Sequence, residues 1–161
     1  MPKNSGAHKG KRHLPTNKRK YLDCVIKETM RLHPPVPIIG RYIPNDVQIG
    51  EQTIPGNTNI FLMPYYVLRD PEYFPDPQTF KPERWMDGEN ALLPNFAYIP
   101  FSAGPKNCMG QKFANLQLKT LISKVIRHFE LLTLGKELKA TYTFILSSSS
   151  GNNVGLMPRC F

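Results

Sequence analysis

No apolar run in this chain approaches the roughly 20 residues needed to cross a bilayer, so no spanning helix is expected. The basic start is not followed by an apolar stretch of the kind a signal peptide carries. Cysteine is scarce. Three of them, Cys24, Cys108 and Cys160, cannot build the even disulfide framework of a small secreted domain, and none stands in a CxxC pair. The four histidines, His8, His13, His33 and His128, are not at zinc-finger spacing. A reducing compartment is the simplest inference, and in it one cysteine is special or none is. Acidic residues are missing altogether from the first twenty positions.

What is present points to one globular body. A chain of 161 residues can bury a substantial core, and a hydrophobic fraction of 40% with 11% aromatic residues fits a folded protein. Sixteen prolines imply many loops and short strands. The net charge of +9 suggests nucleic acid until its distribution is considered. Seven of the 21 basic residues fall in residues 1–20, leaving fourteen against twelve acids in the rest. That arm has no aromatic side chain to stack on a base, so it reads as a basic, disordered tail and no nucleic-acid partner is expected. Residues 21–161 read as one packed unit.

Within that unit Tyr21–His33 has the pattern of an amphipathic helix. Leu22, Val25, Ile26, Thr29 and Met30 recur at helical spacing, and Pro34-Pro35 halts the run. Residues 36–62 read as short strands punctuated by Asn45-Asp46, Gly50 and Pro55-Gly56, and a short helix is expected at Pro64–Arg69. Residues 70–94 read as coil with aromatic anchors, and Gly110–His128 as a second helix. The remainder reads as strands, with Ser147–Asn153 as a hairpin tip.

The chemistry concentrates in Phe101–Gly110, FSAGPKNCMG. A cysteine in a loop opening a helix meets backbone amides and the positive helix end, which favour the thiolate, and Lys106 adds a positive charge. Gly104 and Gly110 leave room for the backbone to approach a large flat group. On the residues alone, the loop could hold a thiolate against iron or hold nothing.

The arrangement resembles the haem-binding loop of the cytochromes P450: Phe, two residues, Gly, one residue, a basic residue, one residue, Cys, one residue, Gly. Phe101, Gly104, Lys106, Cys108 and Gly110 meet its five positions, with lysine where arginine is usual. The string PFSAGPKNCMGQKFA looks most like family 4, the branch related to fatty-acid hydroxylases. Two further elements belong to the resemblance. Glu28 and Arg31 match a Glu-x-x-Arg pair that shares one helix face, and PERW at 82–85 matches the Pro-Glu-Arg-Phe element with Trp85 last. In the family that arginine joins the pair in a buried triad, here Glu28, Arg31 and Arg84, which fixes the haem loop and does no chemistry.

The resemblance implies an α+β, mainly α fold, the C-terminal haem-binding part of the P450 architecture, with two sizeable helices, short β-sheets and the cysteine-ligand loop. It implies haem b with an axial thiolate from Cys108, propionate contacts from Arg41 and Lys106, and Phe101 shielding the sulfur. Val36–Ile39 would lie over the haem edge, and Ser147–Asn153 would be a second piece of pocket. The family reaction inserts one oxygen atom from O2 into a lipophilic substrate such as a fatty acid. Its electrons come through NADPH–cytochrome P450 reductase, which Lys112, Lys119 and Lys124 could meet. Full-length relatives sit on the cytosolic face of the endoplasmic reticulum. This chain shows no anchor of its own and no distal oxygen-activating helix, so it is expected to be inactive alone. The alternative is a non-catalytic, truncated chain with weak or no haem binding and an incidental basic arm.

Overall fold

A computed structural model describes residues 16–86, 93–135 and 138–160. The first helix, α1, spans Thr16–Leu32. It therefore opens inside the segment read as a disordered tail over residues 1–20, which is helical from residue 16; residues 1–15 lie outside the described residues. Its end follows from Pro34-Pro35, which supply no N–H and bias the preceding backbone away from the helix. The orphaned carbonyl of Leu32 accepts instead from the Arg69 guanidinium, which also donates to the Tyr65 carbonyl at 3.1 Å.

Two faces of α1 are buried. Leu22, Ile26 and Met30, at steps of four, pack with Phe101, Leu118 and Ile122. Cys24, Glu28 and Arg31 face the opposite way, toward the irregular segment beyond residue 70. Thr29, assigned above to the apolar stripe, is exposed, and its hydroxyl donates to the Val25 carbonyl at 2.8 Å. A polar pair, Glu28 and Arg31, occupies the interior in its place.

Four short strands follow in a nested arrangement. β1 (Ile39–Ile43) pairs antiparallel with β4 (Thr58–Leu62), Arg41 opposite Ile60, and the hairpin of β2 (Val47–Ile49) and β3 (Gln52–Ile54) is inserted between them. Gly56 makes this possible. A Cβ there would stand 2.9 Å from the Pro44 carbonyl oxygen, and the Gly56 amide donates to Asp46 at 2.7 Å. The short helix α2 spans Pro64–Val67, with proline at its first turn where no N–H is needed. Single 3₁₀ turns cover Pro82–Trp85 and Gly104–Lys106.

The long helix α3, Gln111–His128, leads into a second nested pair. β5 (Phe129–Thr133) pairs with β8 (Val154–Pro158) around the hairpin of β6 (Ala140–Tyr142) and β7 (Leu146–Ser148). The turn of the inner hairpin is thus Thr143–Ile145, and the Ser147–Asn153 tract is strand end plus connection. Its serines hold the connection locally: the Ser149 amide donates to the Lys139 carbonyl at 2.9 Å, and the Ser148 hydroxyl to the Gly151 carbonyl at 2.9 Å.

A second buried cluster gathers Cys24, Phe74 and Trp85, with Tyr73, Met86, Leu93 and Tyr98 against it. No α3 residue is fully buried among the described residues, and Met109, Phe113 and Leu116 project outward, Met109 entirely. No helix among them is long and apolar enough to cross a membrane.

Candidate functional site

Glu28 and Arg31 have no exposed surface, and Arg84 is 8% exposed. The carboxylate of Glu28 accepts five hydrogen bonds. Arg31 grips it with Nε to Oε2 and Nη2 to Oε1, both at 3.0 Å. Arg84 Nε reaches Oε1 at 3.0 Å, the Lys81 amide reaches Oε1 at 2.9 Å, and Trp85 Nε1 reaches Oε2 at 2.7 Å. Burial alone pushes the Glu28 carboxyl upward, but the donors, Arg31 foremost, outweigh it and hold the group below its ordinary value. The carboxylate stays charged because charge-assisted bonds fill its lone-pair sites.

The two guanidiniums spend their remaining donors on backbone. Arg31 donates to the carbonyls of Leu68 (2.9 Å), Pro77 (2.8 Å) and Thr79 (3.3 Å). Arg84 donates to those of Pro75 (3.0 Å), Asp76 (3.4 Å) and Thr79 (3.4 Å). The resemblance names Glu28, Arg31 and Arg84 together, and the structure brings all three together. The sequence offers Trp85 as an aromatic anchor and as the occupant of the last motif position. Its indole N–H, absent from phenylalanine, needs an acceptor when buried, and that was the signal available in the sequence.

The cysteine loop lies against the other buried face of α1. Phe101 packs on the Leu22–Ile26–Met30 face, and its carbonyl accepts the Cys108 amide at 3.0 Å. Ser102 is in the left-handed region at φ 63°, with its amide donating to the Ile99 carbonyl at 3.1 Å. Arg41 on β1 crosses to this loop and donates from Nη2 to the Ser102 hydroxyl at 2.7 Å, bracing that costly conformation. Gly104 has φ +74° with open space where a Cβ would stand, so the turn requires glycine while its surroundings do not. Gly110 has an ordinary helical φ of −79°; what it leaves is space 3.7 Å from Cys108 Sγ. Cys108 itself is a free, exposed thiol, and Lys106 is exposed on its 3₁₀ turn.

The remaining pieces are partly assembled. The Leu146 amide donates to the Pro35 carbonyl at 2.9 Å, and the Tyr142 hydroxyl to the Tyr65 hydroxyl at 2.6 Å. These bonds dock the C-terminal hairpin beside the segment that leads into Val36–Ile39. Of the three lysines on α3, Lys112 and Lys124 are exposed, whereas Lys119 forms a 2.8 Å ion pair with Asp23 on α1. Both side chains of that pair are more than 40% exposed, so the contact is a weak surface one.

A cysteine loop opening a helix, an arginine reaching it from a short sheet and a buried glutamate held by two arginines come together in one chain. The family profile described as Cytochrome P450 matches residues 6–154, and the chain belongs to that family. Within it the likeness is to family 4. The chain is 79% identical over 141 residues to "Probable cytochrome P450 4d21" of Drosophila melanogaster, covering 87% of this chain and 28% of that protein. It is 44% identical over 125 residues to "Cytochrome P450 4V2" of Mus musculus, covering 74% and 24% respectively. Among solved structures, the "Retinoic acid bound cyanobacterial CYP120A1" superposes with a TM-score of 0.81 at 31% identity, covering 91% of this chain and 35% of that one. The fold is therefore part of the P450 architecture, helices with small sheets, and the chain spans little more than a quarter of the length of its Drosophila relative. Proteins of this family are monooxygenases that use haem, redox partners and lipophilic substrates, and family 4 members are typically membrane-associated.

Proposed function

We propose that this chain supplies the thiolate-bearing side of a haem site in a family 4 monooxygenase, with Cys108 as the iron ligand. The observation that carries the reading is the loop itself: a free, exposed Cys108 whose amide is tied to Phe101, in a turn braced by Arg41 through Ser102. The residues present fit haem. A soft sulfur ligand stands at a helix start, glycines leave both sides of the turn open, and apolar Met109 and Phe113 are uncovered nearby.

Bound there, haem would supply oxygen activation, which an axial thiolate promotes by pushing electron density toward the iron. The chain's own residues do the holding. Arg41, already turned to the loop, and Lys106 would receive the propionates, and Phe101 would exclude water from the sulfur. Glu28, Arg31 and Arg84 fix the surrounding backbone and touch no substrate. The parent reaction is insertion of one oxygen atom from O2 into a lipophilic substrate such as a fatty acid. Electrons would come from NADPH–cytochrome P450 reductase at the endoplasmic reticulum membrane, with Lys112 and Lys124 meeting acidic groups of that partner.

The test is the reduced, carbon-monoxide-bound spectrum of the chain expressed with haem available. A thiolate-type Soret band that disappears in Cys108→Ser is expected. Haem bound equally well by Cys108→Ser would overturn the ligand assignment. No bound haem at all would favour the second reading, in which the chain is non-catalytic and binds haem weakly or not at all; its span of 28% of the Drosophila relative speaks for that outcome.

A further inference from the structure

The buried carboxylate has two kinds of neighbour. Arg31 and Arg84 direct their spare donors at Leu68 and at residues 75–79. Among the described residues, no hydrogen bond runs from Glu28, Arg31 or Arg84 to residues 97–110. The charge cluster therefore cannot place the cysteine loop by direct bonding.

Trp85 bridges that gap. Its Nε1 is bonded to Glu28 at 2.7 Å, and its ring lies 4.5 Å from that of Tyr98, tilted by 55°. Phe74 backs it at 6.1 Å, and the Lys27 ammonium is 5.6 Å from its centroid. Tyr98 in turn donates its hydroxyl to the Lys27 carbonyl at 3.1 Å, one residue before Glu28. From Tyr98 the backbone runs directly into Ile99, which accepts the Ser102 amide, and Phe101, which accepts the Cys108 amide.

We propose that Trp85 is a positioning residue: it carries the fixed location of Glu28 through Tyr98 to the backbone that sets Cys108. An aromatic ring of any kind fills the space between Phe74 and Tyr98. Only an N–H bonded to a carboxylate also fixes the plane of that ring, and with it the surface on which Tyr98 rests. The geometry stands without haem; the functional weight of the inference rests on Cys108 being the ligand.

Amide hydrogen exchange on the ¹⁵N-labelled full chain without haem separates the two. Trp85→Phe keeps the ring and removes the donor. We expect exchange at Ser102 and Cys108 to quicken by about fivefold or more, as local opening of the loop becomes easier. The Phe74 amide, whose acceptor is Asp70, should stay within about twofold. Simple space-filling predicts no change at either place. Ser102 and Cys108 staying within twofold, or quickening no more than Phe74, would overturn the proposal. If Trp85→Phe does not fold, Tyr98→Leu, which leaves all five donors on Glu28, is judged by the same thresholds. The exchange result is independent of whether the chain binds haem, so failure here leaves the ligand assignment standing, and failure of the spectrum leaves this result standing.

Discussion

Replacing Glu28 by glutamine is the sharpest probe of the core, because the side chains are nearly isosteric. The carboxylate accepts five hydrogen bonds, three at Oε1 and two at Oε2. A glutamine amide keeps one accepting oxygen and turns its NH₂ toward at least two donors, which then have no acceptor. Hydrogen bonds to a charged group contribute about 1.5–3 kcal/mol each, so losing two amounts to about 3–6 kcal/mol. Removing one partner of a buried ion pair costs about 3–5 kcal/mol by a separate route, since Arg31 and Arg84 stay buried and uncompensated. The two estimates agree near 4 kcal/mol, a large share of a domain stability of about 5–15 kcal/mol. Urea unfolding at pH 7, followed by circular dichroism, measures it. A loss below about 1 kcal/mol with an unchanged denaturant slope would refute the buried-charge account.

Three more outcomes follow from the structure. Because folding holds Glu28 below its ordinary value of 4.5, the unfolded chain takes up that proton first as pH falls. The resulting stability is present in full above about pH 4.5 and lost on acidification below it, a slope that Glu28→Gln should lack when urea midpoints are measured against pH. Gly56→Ala should destabilise by about 1–3 kcal/mol in thermal or urea melts, since its Cβ would press on the Pro44 and Asn45 backbone. Phe113→Ser should change stability by less than about 0.5 kcal/mol, because the ring is 71% exposed, while reducing binding of a hydrophobic dye to the chain.

The parts legible in the sequence were those where spacing carries chemistry. Glu28 and Arg31 at i and i+3, Arg84 in its proline-led turn, and the Phe101–Gly110 pattern all pointed to a place the structure builds. What escaped depended on burial that periodicity does not encode. Of the stripe Leu22, Val25, Ile26, Thr29 and Met30, the first, third and last are buried, while Val25 is half-buried and Thr29 exposed, because α1 is covered on two sides and one covering is polar. The serine tract looked like a turn, yet its hydroxyls bond to Gly151 and to Lys139 on the facing segment, and the reversal begins four residues earlier, at Thr143–Ile145. Lys119 looked like a free surface cation, and only the approach of α3 to α1 gives it Asp23. Trp85 matched a motif position by shape, and its donor had no visible acceptor until α1 and the 3₁₀ turn were set side by side.

The guanidiniums of Arg31 and Arg84 grip residues 75–79 entirely by main-chain oxygens, a group every amino acid possesses. A hold of that kind does not inspect identity; it counts positions. A library randomised at Gln78 should therefore retain many folded members, and one at Asp76 those that accept its left-handed φ of 52°, whereas one added or deleted residue between Pro75 and Thr79 would slide each oxygen past its donor. In that stretch length is held more tightly than spelling.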